Sequence, residues 1–331
     1  MESGNLSQKP RNPPLHIISP LVESPTLSEL CGRKVLLKLD NTQPAGSFKI
    51  RGIGHLIKKK HEDEGCMEVV SSSGGNAGMA AACAAKALGL KATIVLPEST
   101  PRFMIPKLQQ YKAEVIVHGK VWNEAHEEAI KLAKRTNACL VHPFDHLDIW
   151  DGHSTIVNEI LDQCNELPAA VVVSVGGGGL LCGILKGLHS HGVKHIPVLA
   201  METVGADCLN VALEAGKPIS IGDITSIAKT LGALTVTQGV FDLKEDLHLC
   251  SHVVTDKEAV EACARFADDH QTLVEPACGA TLAAGYSGIV NKLVEENKLP
   301  TRGPIVFVVC GGNVITTNML LSWKKEFNIN L

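Results

Sequence analysis

Short β-branched segments alternate with alanine-rich segments along most of this 331-residue chain. The β-branched segments are apolar at consecutive positions and end at turn residues, as strands buried on both faces of a parallel sheet do. This alternation predicts an α/β fold in which parallel sheets are built from strand–helix–strand units. The predicted strands are residues 35–39, 69–72, 93–96, 115–117, 170–175, 198–201 and 305–310. The predicted helices include residues 77–88, 124–135, 180–189, 257–268 and 279–296.

Charge and composition argue against several classes of partner. The chain has 31 Lys and Arg against 35 Asp and Glu, and 4% of its residues are aromatic, so nucleic acid is not a predicted partner. Residues 167–185 are uncharged, but Pro168 and four consecutive glycines interrupt them, so no membrane span is predicted. Residues 1–14 are polar and proline-rich, which predicts no secretory signal.

The 11 cysteines are scattered along the chain and form no Cys-x-x-Cys pair. Their spacing therefore predicts reduced thiols in a cytoplasmic protein and not a disulfide framework or a zinc ribbon. His189, His191 and His195 lie close together, but no cysteine or carboxylate lies at ligand spacing from them. No zinc site is predicted there.

Two glycine-bearing turns each connect a predicted strand to a predicted helix. The first contains Ser73, Gly74, Gly75 and Asn76. It is either a loop whose backbone N–H groups bind a carboxylate or phosphate, or a plain turn whose polar side chain caps the helix. The second turn, residues 176–179, is four glycines, which is more than a simple turn requires. We therefore predict that a phosphate monoester approaches this backbone, although neither a dinucleotide fingerprint nor a Walker A motif is present.

Cys310 and Lys49 are the remaining candidates. Cys310 is at the end of a predicted strand, and ligands of open α/β sheets bind at the carboxyl edge of the strands. Lys49 lies between Phe48 and Ile50, after Ser47, which we predict to cap the following helix. A lysine near a helix start is usually solvated. Apolar neighbours, however, would lower its pKa, as a nucleophilic amine requires.

Four of these segments occur in an order that resembles a known family. Residues 45–52 (AGSFKIRG), 72–78 (SSGGNAG), 174–181 (SVGGGGLL) and 309–313 (VCGGN) closely resemble motifs of the pyridoxal-phosphate enzymes of the tryptophan-synthase β fold. Within that group the chain resembles, from residue 15 onward, the animal-type L-serine dehydratases/L-threonine deaminases and their serine dehydratase-like relatives. The resemblance implies two open parallel-sheet domains with the cofactor in the cleft between them. The large domain would comprise residues 1–43 and 148–331, and the small domain residues 44–147.

The resemblance also implies how pyridoxal 5′-phosphate is held. Lys49 would bind the cofactor covalently and act as the catalytic base, and Phe48 would pack against one face of the pyridine ring. Asn76 would hydrogen-bond the ring hydroxyl oxygen, while Cys310 would face the pyridine nitrogen as a weak neutral donor. The phosphate would be held by the backbone N–H groups of Gly176, Gly177, Gly178 and Gly179.

Substrate and cation sites are implied in the same way. Ser73, Gly74, Gly75 and Asn76 would receive the carboxylate of an amino-acid substrate. Glu202 would belong to the catalytic face and to a potassium site, although a glutamate at a strand end can also have a structural role. The other implied potassium ligands, mostly carbonyl oxygens, are Gly176, Ala206, Cys208, Leu231 and Ala233.

The implied activity is dehydration and deamination of L-serine to pyruvate and ammonia, and of L-threonine to 2-oxobutyrate and ammonia. A cytoplasmic homodimer is implied as well. A serine racemase, a β-replacement enzyme and a weakly active or non-catalytic amino-acid-binding homologue remain alternatives. Gly74, Cys208 and Thr230 depart from the pattern of efficient dehydratases, where we expect alanine, serine and alanine. These departures leave a lower turnover or a different substrate preference open.

Overall fold

The computed structural model describes residues 13–245 and 247–330 and contains two β-sheets. The strands are β1 (Leu21–Glu23), β2 (Val35–Lys38), β3 (Glu68–Ser71), β4 (Lys91–Leu96), β5 (Glu114–Val117), β6 (Cys139–Val141), β7 (Ala170–Ser174), β8 (Val198–Thr203), β9 (Leu249–Val254) and β10 (Ile305–Val308). The helices are α1 (Pro25–Leu30), α2 (Lys49–Glu64), α3 (Asn76–Leu88), α4 (Met104–Gln110), α5 (Trp122–Thr136), α6 (Leu147–Gln163), α7 (Gly179–Ser190), α8 (Cys208–Ala215), α9 (Gln238–Leu243), α10 (Asp256–His270), α11 (Pro276–Tyr286), α12 (Ile289–Glu295) and α13 (Thr317–Glu326), with short 3-10 helices at Asp40–Thr42 and Lys229–Leu231.

The larger sheet has six strands in the order β1-β2-β10-β7-β8-β9. Only β1 runs antiparallel to its neighbour. Every residue of β7 and β10 is buried, as expected of central strands in a parallel sheet. Because β10 pairs with β7, the turns that follow these two strands lie side by side at one edge of the sheet.

The smaller sheet has four parallel strands in the order β5-β4-β3-β6. All of its strands lie between Glu68 and Val141, whereas the larger sheet draws on the chain before and after this segment. An α/β fold with two parallel-rich sheets is therefore confirmed, with one sheet inserted in the sequence of the other. The boundaries at residues 43/44 and 147/148 stay a prediction.

Local patterns predicted the buried strands better than the exposed ones. Each of the seven predicted strands is present, but β1, β6 and β9 were not predicted because they are short or carry polar residues at the edge of a sheet. The single helix predicted over 279–296 is wrong. The chain breaks between α11 and α12 at Gly288, whose φ of 71° lies in the left-handed region.

Three further expectations concern a secretory signal, membrane-spanning helices and the cysteines. The predicted absence of a secretory signal rests on residues 1–14, of which 1–12 lie outside the described residues. None of the helices in the described ranges is long and apolar enough to cross a membrane. Within the same ranges, the 11 cysteines are free thiols.

A buried ionic network anchors α2. Arg51 is fully buried and donates to both oxygens of Asp40, next to β2, and to both oxygens of Glu159 on α6, over distances of 2.6–2.8 Å. Lys38 of β2 lies 2.6 Å from the same Glu159. Burial alone would raise the pKa of Glu159, but the hydrogen bonds and charges of Arg51 and Lys38 lower it. The network therefore holds the helix that begins with Lys49 against the larger sheet.

Candidate active site

Lys49 is the first residue of α2 and is partly buried. Its Nζ donates to the carbonyl of Pro143 at 2.7 Å and lies 5.2 Å from the centroid of the Phe48 ring. Burial lowers the pKa of Lys49 to about 8, although the neighbouring Cys310 and Glu275 oppose the shift. An amine with a lowered pKa is a stronger candidate nucleophile and base near neutral pH.

The predicted cap of this helix is wrong. Phe48 occupies the N-cap position of α2 and makes no side-chain capping bond. Ser47 is buried, and its hydroxyl has no hydrogen-bond partner within the described part of the chain. The start of α2 is instead held by the backbone N–H of Phe48, which donates to the carbonyl of Cys310 at 3.1 Å.

Cys310 lies two residues after the end of β10 and is 4% exposed. Its Sγ is 3.5 Å from the hydroxyl of Ser174, the last residue of the neighbouring β7. The contact with Cys278 and burial both raise the pKa of the Cys310 thiol well above its ordinary value. A thiol with a raised pKa is a weak hydrogen-bond donor, which is the property that the resemblance implies for Cys310.

The turn between β3 and α3 is not the plain capped turn that the sequence left open. Gly75 is at the N-cap position, and α3 begins at Asn76 without a side-chain cap. The Ser73 hydroxyl accepts from the N–H of Gly75 at 3.3 Å. A Cβ on Gly74 would lie 2.5 Å from a side-chain carbon of Thr100, so the alanine of efficient dehydratases would require Thr100 to move.

The four glycines before α7 have close protein neighbours. A Cβ on Gly177 would lie 2.4 Å from the Phe144 ring, and one on Gly179 would lie 2.5 Å from the Phe144 carbonyl oxygen. Gly178 has a φ of 92°, and a Cβ on Gly176 would lie 2.8 Å from a backbone oxygen of Leu231. Close contacts with protein atoms and the φ of Gly178 thus explain why these positions are glycine. The sequence alone had suggested a bound phosphate as the reason.

The N–H groups of this turn nevertheless suit an anion. Within the described residues, the N–H groups of Gly176, Gly177, Gly178 and Gly179 donate no hydrogen bond to another protein group. The helix α7 that follows has no side-chain cap. Unpaired N–H groups at a helix N-terminus form an anion-binding site, and no lysine or arginine lies in the turn.

Glu202 at the end of β8 is fully buried. Its two oxygens accept from the backbone N–H groups of Leu209 and Asn210 at the start of α8, each at 2.8 Å. Burial raises the pKa of Glu202 to about 8, although these two bonds oppose the shift. No described hydrogen bond joins Glu202 to Lys49. The contacts of Glu202 therefore favour a structural role, in which it binds the start of α8, over a role beside Lys49.

Three of the other implied cation ligands come together beside the glycine turn. The Cys208 thiol donates to the carbonyl of Gly176 at 3.4 Å, and the backbone of Leu231 lies against the same glycine. Ala206 lies in the turn before Cys208, and Ala233 follows Leu231, whose carbonyl accepts from the Ala233 N–H at 2.7 Å. Among the residues that the structure describes, no cluster of three or more His, Cys, Asp or Glu could hold a metal ion.

Two site residues had no role predicted from the sequence. Glu275 is 3% exposed and accepts from the Asn76 amide at 2.7 Å, and burial raises its pKa to about 7. Glu275 could have been noticed in the sequence, because it is a lone charged residue in an apolar segment and directly precedes the proline that begins α11. His153 is fully buried against the Phe48 ring, with ring centroids 5.0 Å apart, and no local pattern indicated it.

The chain is similar to known proteins over most of its length. A sequence profile of the family described as "Pyridoxal-phosphate dependent enzyme" matches residues 14–311. The chain is 48% identical to human "Serine dehydratase-like" over 98% of both chains. It is 46% identical to cattle "L-serine dehydratase/L-threonine deaminase" over 96% of this chain and 97% of that one. The crystal structure of a fungal L-serine ammonia-lyase from Rhizomucor miehei matches with a TM-score of 0.90 and 33% identity, covering 95% of this chain and 99% of that one.

Proposed function

The chain belongs to the pyridoxal-phosphate dependent enzyme family, and from this premise we propose that it is an ammonia-lyase acting on L-serine and L-threonine. L-serine would give pyruvate and ammonia, and L-threonine would give 2-oxobutyrate and ammonia. The water lost at the β-carbon is returned when the nitrogen leaves as ammonia, so the reaction needs no oxidant or reductant.

The side chains present fit the cofactor. Lys49 would bind its aldehyde carbon, because the pKa of this amine is lowered and its Nζ lies beside the Phe48 ring. The unpaired N–H groups of residues 176–179 would bind the phosphate. The Asn76 amide, which donates to Glu275, would also donate to the ring hydroxyl oxygen. The neutral thiol of Cys310 would face the ring nitrogen without keeping it protonated.

Pyridoxal phosphate, when bound, supplies an electron sink that makes the α-proton of an amino acid acidic. Groups of the chain itself would bind the substrate and transfer the proton. The uncapped turn of Ser73, Gly74, Gly75 and Asn76 would bind the substrate carboxylate at the start of α3. Lys49 would take the α-proton at its Nζ, which the Pro143 carbonyl orients.

The observation that carries this proposal is the position of Lys49. A lysine with a lowered pKa lies beside an aromatic ring and is hydrogen-bonded to Pro143, next to the Phe144 that packs on the glycine turn. A surface lysine at a helix start would have none of these contacts.

We further propose potassium at the carbonyl groups near Gly176, with Ala206, Cys208, Leu231, Ala233 and Glu202 around it. The close approach of Gly176, Cys208 and Leu231 supports this proposal, because oxygen ligands suit a hard monovalent cation. A cytoplasmic homodimer is proposed as well. The free thiols support a reducing compartment, and the resemblance alone supports the dimer.

An assay of the purified, cofactor-loaded protein with L-serine tests the function. We expect pyruvate and ammonia in equal amounts, and 2-oxobutyrate from L-threonine. Rates should be higher in potassium than in an equal concentration of a large organic cation. Chiral analysis of the remaining serine distinguishes a lyase from a racemase, and a protein that binds serine without releasing pyruvate would contradict the proposal.

Replacing Gly177 with alanine should weaken cofactor binding. The new Cβ would lie 2.4 Å from the Phe144 ring, so either the glycine turn or the ring must shift. We expect the dissociation constant for pyridoxal phosphate to rise by about 10-fold or more, since overpacking of this kind costs on the order of 1–3 kcal/mol. Cofactor titration of the apoprotein, followed by absorbance, measures it. The double variant with Phe144→Leu should recover part of the affinity, and an unchanged single variant would contradict a phosphate site here.

A further inference from the structure

The orientation of the Asn76 side-chain amide is determined by its neighbours. Its Oδ1 accepts from the backbone N–H of Asn313 at 2.9 Å. Because a backbone N–H can only donate, the oxygen of Asn76 must face Asn313, and the NH₂ group must face the other way. That NH₂ group donates to Oε1 of Glu275 at 2.7 Å. One of its two N–H bonds is thereby used, and the other has no hydrogen-bond acceptor among the described residues, so it is available to a ligand.

Glu275 is held in place by donors from three parts of the chain. Besides Asn76, the hydroxyl of Thr230 donates to its Oε1 at 2.7 Å, and the N–H of Val314 donates to its Oε2 at 3.3 Å. Burial raises the pKa of Glu275 to about 7, and these hydrogen bonds and the charge of Lys49 oppose that shift. A carboxylate can accept all of these bonds at once, whereas an amide cannot, because its NH₂ group does not accept.

The turn after β10 leaves room for this carboxylate. Gly312 has a φ of 136°, and a Cβ on it would lie 2.0 Å from the Cδ of Glu275. In the sequence, Gly312 stands out only as part of the VCGGN motif that contains Cys310. The absence of a side chain at Gly312 lets the Glu275 carboxylate lie next to Asn76.

Thr230 is the member of this group that departs from the pattern of efficient dehydratases. Thr230 is exposed. Its methyl group would lie 4.0 Å from a Cβ added to Gly75, which belongs to the turn proposed to bind the substrate carboxylate. The alanine expected at this position would carry no hydroxyl. This chain therefore has one more donor on Glu275 than an alanine-bearing relative would have.

We propose that Glu275 is a positioning residue that orients the Asn76 amide toward the ring hydroxyl oxygen of the cofactor, and that Thr230 helps to hold Glu275 in this role. The inference rests on the proposed function, since it assumes a pyridoxal-type ligand in the site. Neither residue touches the reacting atoms. Their effect is therefore specific to ligands that carry the ring hydroxyl group.

A matched pair of ligands tests this specificity. Pyridoxine 5′-phosphate keeps the ring hydroxyl and the phosphate but has no aldehyde to react with Lys49. Its 3-deoxy analogue differs only in lacking the ring hydroxyl. Titration of the apoprotein with each gives a ratio of dissociation constants, which we expect to favour pyridoxine 5′-phosphate by about 10-fold.

The variants should change this ratio in a graded way. Glu275→Gln places an NH₂ group against either the Val314 N–H or the Asn76 and Thr230 donors, so the preference should fall to about 3-fold or less. Thr230→Val removes one donor at nearly constant volume and should lower the preference by about 2- to 3-fold. Thr230→Ser keeps the hydroxyl and should have the same ratio of dissociation constants as the parental protein. Thermal unfolding of each apoprotein checks that the variants fold.

Each outcome has a separate meaning. A ratio that falls in Glu275→Gln and Thr230→Val and is restored in Thr230→Ser supports the inference. Equal weakening of both ligands would indicate a merely structural role and overturn it, as would a parental protein that binds both ligands equally well. A parental protein that binds neither ligand would overturn the proposed function as well.

Discussion

Replacing Lys49 with alanine is expected to abolish pyruvate formation from L-serine, with a loss of at least about 10³-fold. The substitution removes both the amine that would bind the cofactor and the base that would take the α-proton. The parental protein should absorb near ~410 nm when loaded with pyridoxal phosphate, and the variant should lack this lysine-dependent band. Borohydride reduction followed by peptide mass mapping should place the cofactor on Lys49 in the parental protein only.

Lys131→Ala is the matched control. Lys131 is an exposed lysine on α5, outside the site, and its replacement should leave both the absorbance band and the rate of pyruvate formation unchanged. Substantial pyruvate formation by Lys49→Ala would contradict the assignment of this lysine. So would reduction that places the cofactor on a different lysine.

Arg51→Met should destabilise the fold by about 3–5 kcal/mol. Methionine has similar length but no charge, so the change leaves Asp40 and Glu159 buried without the guanidinium that pairs with both. Lys38 still pairs with Glu159, but among the described residues the remaining hydrogen-bond donors to Asp40 would be the neutral side chains of Ser19 and Gln43. Equilibrium unfolding in urea, followed by circular dichroism, measures the loss.

An exposed ion pair on the same helix provides the control. Lys59, also on α2, pairs with Asp148 on α6 but is half-exposed, and Lys59→Met should cost less than about 1 kcal/mol. The two variants remove a cation from the same helix–helix contact and differ mainly in burial. A loss in Arg51→Met as small as that in Lys59→Met would contradict an anchoring role for the buried network.

Local sequence patterns predicted the central part of the fold well. The strands β7 and β10 are apolar at consecutive positions, so their burial is evident from the sequence without knowledge of their neighbours. The edge strand β9 has polar residues between apolar ones and was not recognised. The break at Gly288 was missed because a single glycine in an apolar helical segment is compatible with either a continuous helix or a break.

The candidate site was predicted unevenly for the same reason. Lys49, Cys310 and the two glycine turns lie in short motifs whose backbone requirements are local, so their positions could be predicted. The hydrogen bond between Asn76 and Glu275 joins residues 199 positions apart, and no local pattern specifies that pairing. Ser47 was misassigned as a helix cap because the bond from Phe48 to Cys310, which holds this helix start, is likewise not local.

The sequence alone therefore determined the strand–helix alternation, the glycine turns at the strand ends and the lysine between apolar neighbours. These features depend on backbone preferences and burial patterns that act over a few residues. Only the tertiary structure decided that Phe144 and Leu231 pack on the glycines, that Glu202 binds the start of α8, and that Glu275 accepts a hydrogen bond from Asn76. Those contacts depend on which distant side chains the packing of the two sheets brings within hydrogen-bond distance.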